Sequence, residues 1–188
     1  MLAIVKLQLK YAGQDKDDDR WAMGTGWLIR NDLLVTAGHC AYDWKSNFGR
    51  CVQVKAYIGY DGKDSAARSD VQFRSGKKIV TTGGWLKSAE NRINDVSFIQ
   101  LNKPFTGVTP FQFDNTPIQG NEVLGVVGYP GDKRYNEAKG GERGAQMWGE
   151  YIKVKWDLSA SARHMLEYRI NTYAGKFELF TNISGLPL

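Results

Sequence analysis

The stretch Val35-Thr36-Ala37-Gly38-His39-Cys40 decides how this chain is read. The apolar, β-branched run from Leu33 to Thr36 has the character of a strand, and the small residues Ala37 and Gly38 end it. A histidine delivered just beyond such a strand is more specific than a lone histidine, because the surrounding residues fix where it sits. Imidazole titrates near neutrality, so it can take a proton from a reacting group and return it. The plainer reading is a packed core histidine beside two unpaired thiols, Cys40 and Cys51.

Working outward, short alternating or β-branched segments recur with turn residues between them. Ala3 to Leu9, Gly26 to Ile29, Leu33 to Thr36, Val52 to Ile58, and Val71 to Phe73 running on to Ile79-Val80 all read as strands. Val96 to Leu101, Val123 to Val127, Tyr151 to Trp156 and Met165 to Ile170 continue the rhythm, with Gly, Asn, Asp and Pro in the gaps. The fold class expected is all-β. Phe105 to Gly120 holds two of the five prolines, with Pro104 just before it, and reads as a connector. The expected organisation is therefore a first unit over 1–103, a connector over 104–120, a second unit over 121–175 and a tail over 176–188.

The 188 residues are 42% hydrophobic and 24% charged, the composition of an ordinary globular protein that can bury a sizeable core. The net charge of +5 is spread through mixed-sign sequence. Lys77-Lys78 and Lys133-Arg134 do not make the basic stripe with stacking aromatics that nucleic-acid binding needs, so no nucleic-acid partner is expected. No apolar stretch approaches the ~18 residues of a spanning helix, and no membrane partner is expected. The apolar start, Met1 to Val5, is interrupted by Lys6 and shows no secretory signal. Cys40 and Cys51, the only cysteines, flank ten residues. A disulfide closing such a loop would add ~3 kcal/mol and imply an oxidising compartment. Two cysteines without CxxC spacing, and only two histidines, argue against a metal site.

A histidine base needs a carboxylate to fix its tautomer and stabilise the imidazolium. Asp95, immediately before the apolar run Val96 to Leu101, follows His39 in the chain and is the candidate. Gly24-Thr25-Gly26-Trp27-Leu28-Ile29, Val35 to Cys40, Asn94 to Leu101 and Gly128-Tyr129-Pro130-Gly131-Asp132-Lys133, with Met147-Trp148 beyond, resemble segments of trypsin-like serine proteases of the glutamyl-endopeptidase (V8-like) branch. That resemblance implies two perpendicular Greek-key β-barrels of the chymotrypsin type, with the site in the cleft between them. It implies hydrolysis of polypeptide substrates by acyl transfer, without a cofactor, in an extracellular setting. His39 would be the general base and Asp95 its orienter.

The nucleophile breaks the pattern. Members of the family carry Gly-x-Ser-Gly-x-Pro after a strand, but here Asn171-Thr172-Tyr173-Ala174-Gly175 leads into Lys176-Phe177, with phenylalanine at the expected serine position. Asn182-Ile183-Ser184-Gly185-Leu186-Pro187 offers a second Ser-Gly-x-Pro match, so Ser184 is the nucleophile candidate. Residues 176–188 are expected to be an aberrant tail and the second barrel incomplete. Gly175-Lys176-Phe177 can be encoded as GGT-AAG-TTT, which contains a splice-donor string and suggests a retained intron. The competing expectation is a non-catalytic homologue that binds peptides or proteins. His164 lacks a partner motif, Gly140 to Gly144 reads as a flexible loop, and Trp21, Trp27, Trp85, Trp148 and Trp156 adjoin strands where aromatic residues pack.

Overall fold

The alternating first strand sets the architecture, because both of its faces end up covered. In the computed structural model, which describes residues 2–112, 119–134, 141–157 and 179–181, β1 (Ile4–Tyr11) points Val5, Leu7, Leu9 and Tyr11 into one core. Ile4 faces a second cluster on the other side. Strands β2 (Ala22–Arg30) and β3 (Leu33–Thr36) follow antiparallel, and then come a single helical turn, α1 (Gly38–Ala41), and the two-residue β4 (Tyr42–Asp43). The longer β5 (Gly49–Ile58) returns to lie beside β1, so the spatial order β5-β1-β2-β3 is a Greek key. With β6 (Gln72–Thr81) and β7 (Ser97–Leu101) filling the gap between β5 and β3, the sheet closes into a barrel. Closure leaves no edge on this ring. Its interior holds Leu7, Leu28, Leu34, Ala56 and Ile99, each fully buried, and such side chains contribute roughly 1.5–3 kcal/mol apiece for the larger ones.

A second, smaller sheet follows. The strand β8 (Gln119–Gly128) pairs along its whole length with β9 (Trp148–Asp157), from Gln119 opposite Asp157 to Gly128 opposite Trp148. The short β10 (Leu179–Thr181) lies on the other edge of β8. The two sheets meet through Ile4, Tyr60, Val127 and Tyr129, with Trp27, Tyr57 and Phe111 packed around them. The fold is thus all-β, a closed barrel with a three-stranded second sheet among the described residues.

Leu33–Thr36 forms a strand with the bounds the sequence predicts, and the other expected strands up to residue 157 form with ends moved by a few residues. The expected strand Met165 to Ile170 lies outside the described residues. So does Ser184.

The disulfide expectation is overturned: Cys40 and Cys51 are both free thiols. Cys40 is buried on α1, its sulfur 3.0 Å from where a Cβ on Gly24 of β2 would stand. Cys51 lies on β5 opposite Tyr11, with its thiol donating to the Gln53 carbonyl at 3.3 Å. Both side chains pack with the barrel core, Cys40 within it and Cys51 against it, without a bond between their sulfurs. The compartment inferred from a bridge loses its basis with the bridge.

Candidate active site

Strand register alone brings His39 and Asp95 together. In the antiparallel β3–β7 pair Thr36 lies opposite Ser97, so the residues leaving β3 and those entering β7 emerge at the same end of the barrel. His39 rides on the α1 turn just past that end, and Asp95 closes a 3₁₀ turn, Arg92–Asn94, just before it. Buried hydroxyls secure the crossing: Ser97 Oγ donates to the Ala37 carbonyl at 2.8 Å, and Thr36 Oγ1 to the Thr25 carbonyl at 2.7 Å. Thr81 and Thr82 donate to the carbonyls of Val96 and Asn94.

The carboxylate grips the histidine at two points. Asp95 Oδ2 lies 3.0 Å from His39 Nδ1, and Oδ1 accepts the His39 backbone N–H at 2.7 Å. With Asp95 ionised, Nδ1 carries a proton and donates it into this bond, so Nε2 is the nitrogen that becomes an acceptor once the ring loses its second proton. The Asp95 side chain is 23% exposed and that of His39 38%, so the acid is more shielded than the ring. Burial disfavours a charged imidazole here, but the bonds to the Asp95 and Cys40 side chains and their charge outweigh it and hold His39 above its ordinary pKa. Burial likewise pushes the Asp95 carboxyl up, and the bonds from His39 more than reverse this, leaving it below its ordinary value.

Close packing enforces the alignment. A Cβ on Gly38 would come within 3.0 Å of Asp95 Oδ1, Trp85 Cγ and Val96 N, so glycine is what lets α1 approach the aspartate. Trp85, only 5% exposed, sets its ring against the imidazole with centroids 6.4 Å apart in a T-shaped arrangement. Tyr11 Oη donates to the His39 and Cys40 carbonyls at 3.2 and 3.3 Å. Of these supports, the sequence marks Gly38 through its motif, whereas Trp85 reads there only as an aromatic residue beside a strand.

The Gly128 to Lys133 segment leaves β8 at the junction of the two sheets. Its Tyr129 is buried, with the backbone N–H donating to Thr25 Oγ1 at 2.9 Å. The glycine-rich segment expected to be a flexible loop is instead tied down over its described part, 141–144. Tyr60 Oη donates to the Glu142 carboxylate at 2.7 Å, and the buried Lys6 ammonium donates to the Gly144 carbonyl. No cluster able to hold a metal ion occurs among the described residues.

Comparison with known proteins bears on the family and the fold. A family model described as a trypsin-like peptidase domain matches residues 24–175. A glutamyl endopeptidase of Bacillus licheniformis is 26% identical over 156 residues, covering 81% of this chain. The chain spans 42% of that relative's length. A solved structure of a Glu endopeptidase in complex with MPD superposes with a TM-score of 0.64 at 17% identity, covering 95% of this chain and 72% of that one. A thermostable serine protease from an extremophilic microorganism gives 0.59 at 17% identity, over 97% and 79% of the two chains. At that identity the likeness concerns the fold, which is chymotrypsin-like with the second barrel incomplete among the described residues. The family match over most of the sequence settles membership: the chain belongs to the trypsin-like peptidases, and its likeness within them is to the glutamyl endopeptidases.

Proposed function

We propose that this protein is a serine-type endopeptidase that cleaves polypeptides by acyl transfer, with His39 as general base, Asp95 as its orienter and Ser184 as nucleophile, and that its turnover is impaired. The observation that carries the reading is the double grip of Asp95 on His39, at 3.0 Å to Nδ1 and 2.7 Å to the backbone N–H. It leaves Nε2 to act as the base in the neutral ring, and since the pair holds the His39 pKa up to about 10, turnover should rise toward alkaline pH. A hydroxyl beside the ring would lose its proton to Nε2 as it attacks the carbonyl, and the same proton would pass to the leaving amine. Asp95 stabilises the imidazolium formed between those two steps. In this division of labour residues 1–103 supply base and orienter, and the later part of the chain supplies the nucleophile. Because the matched relative is a glutamyl endopeptidase, peptides with glutamate before the scissile bond are the first substrates to test.

Impairment is expected because Phe177 stands where the family pattern has its serine, which leaves Ser184 to act from a segment with Asn182 in place of the family's glycine. The same observation supports a second reading, a non-catalytic homologue that binds peptides. A fluorophosphonate probe separates the two. Slow labelling of the folded protein that vanishes in Ser184→Ala and in His39→Gln supports catalysis. A folded protein that stays unlabelled while binding peptides supports the homologue. Losing a triad nucleophile lowers turnover on the order of 10⁶-fold, so weak activity is still measurable above that floor.

A further inference from the structure

We propose that Trp85 is a positioning residue for the His39–Asp95 pair, bracing the imidazole so that Nδ1 stays on the carboxylate. The inference rests on the peptidase reading for its purpose, and on geometry for its substance. Trp85 is tied to both segments that bear the pair. On the histidine side its Nε1–H donates to the Tyr42 carbonyl, one residue past α1, at 3.1 Å. On the aspartate side its backbone N–H donates to Thr82 Oγ1 at 3.1 Å, and that hydroxyl donates to the Asn94 carbonyl at 2.7 Å. Trp44 completes the bracket by donating its own Nε1–H to the Trp85 carbonyl at 3.0 Å.

The backbone of Trp85 makes two of these bonds and so holds the site in place, while the indole itself adds the directional bond to the Tyr42 carbonyl, which a tryptophan present only to fill a core does not need. Its ring meets His39 in a T-shaped arrangement at 6.4 Å, and its Cγ borders the space a Cβ on Gly38 would occupy. The imidazole therefore has Asp95 along one side and an indole against another. Since the His39 side chain is 38% exposed, the motion to be prevented is rotation of the ring outward into water. An aromatic edge stops that rotation without offering Nδ1 a competing acceptor.

The test reads the hydrogen bond itself and needs no turnover. Proton and ¹⁵N spectra of the full chain, assigned with His39→Gln and referenced to the other histidine, His164, report the downfield Nδ1–H signal and the tautomer of His39. In Trp85→Leu, which keeps an apolar side chain but removes the aromatic edge and the indole's bond to the Tyr42 carbonyl, the downfield signal should vanish, while His164 is unchanged. Trp85→Phe should restore part of the signal. A folded Trp85→Leu protein with the wild-type His39 spectrum overturns the proposal. If Trp85→Leu does not fold, Trp44→Phe decides, because it removes only the Trp44 indole's bond to the Trp85 carbonyl: a weakened signal supports the brace, and an unchanged one overturns it. Failure of fluorophosphonate labelling with a Trp85-dependent signal would sink the peptidase reading and leave the brace standing.

Discussion

Asp95 touches His39 at a ring nitrogen and at the backbone, so its replacement acts on both chemistry and stability. The sign of the pH effect follows from the two shifts. A histidine held above its ordinary pKa contributes stability that is complete below its unfolded value near 6.5 and is lost as pH climbs through the folded value of about 10. A carboxylate held below its ordinary pKa contributes stability present above its unfolded value, about 3.9, and lost at more acidic pH. The pair is therefore worth most between about pH 4 and 6.5. Solvent screening of a partly exposed ring limits that worth to on the order of 1 kcal/mol. Asp95→Asn should be less stable than wild type by this amount at pH 6 and converge on it by pH 10, as read by denaturant unfolding at each pH. A difference that stays constant across that range would mean that the pair does not titrate as its geometry requires. Gly38→Ala tests the packing. The added methyl meets a carboxylate oxygen, an indole carbon and a backbone nitrogen at 3.0 Å each, so overpacking should cost ~1–3 kcal/mol and weaken the downfield Nδ1–H signal.

At the scale of the element, β1 shows what a strand covered on both faces demands. Its Lys6 is fully buried between the two sheets, with the ammonium bonded to the Gly144 carbonyl and lying 5.5 Å from the centre of the Tyr129 ring. Burial lowers its pKa from the ordinary 10.5 to about 8, against a smaller opposing pull from Glu142. The folded state thus disfavours the charged form, a contribution regained only as pH rises from about 8 toward 10.5. Lys6→Met removes that cost and also the bond to Gly144, and such exchanges are commonly neutral or stabilising. The variant should be at least as stable as wild type at pH 7 and should lose the upward slope of stability with pH between 8 and 10.5. Persistence of that slope would assign it to another group.

The same strand shows what the sequence makes legible. Alternation in Ile4 to Tyr11 marks a strand, but only the second sheet makes its Ile4 and Lys6 face interior, so the lysine reads in sequence as a break in an apolar start. Likewise His39 and Asp95 are legible because each sits beside a strand end, and β3–β7 register does the rest. Trp85 is not, because its importance lies in bonds to residues 42 and 82, which no periodicity connects. The cysteines show the opposite error: spacing gave a suitable loop length, while the placement of one on α1 beside Gly24 and the other on β5 opposite Tyr11 was hidden in the fold.

On the scale of the whole molecule, the closed barrel and the second sheet are joined at a few particular places. Tyr129 is central among them: it is 2% exposed, bonded through its backbone to Thr25 Oγ1 and through its hydroxyl to the Tyr60 carbonyl, and flanked by Lys6. The outer connections are the Tyr60–Glu142 and Gln146–Asp61 hydrogen bonds and the Gly62 N–H to the Ala145 carbonyl. A barrel closed on itself, with its own core, can keep its packing when a neighbour detaches. The second sheet leaves Gln119 to Asn121 of β8 and alternate residues of β9 exposed, buries Leu124 to Gly128 of β8, and depends more on the junction. Removing the Tyr129 ring should therefore cost the ~3–5 kcal/mol typical of deleting a large buried aromatic, and the loss should fall unequally. In Tyr129→Ala, amide hydrogen exchange should accelerate across β8 and β9 while β1, β5 and β7 retain protection, because local opening follows the weaker unit. If the amides of both sheets accelerated together, the junction would instead be one cooperative core, and the His39–Asp95 pair, though carried by the barrel alone, would depend on the second sheet for its stability.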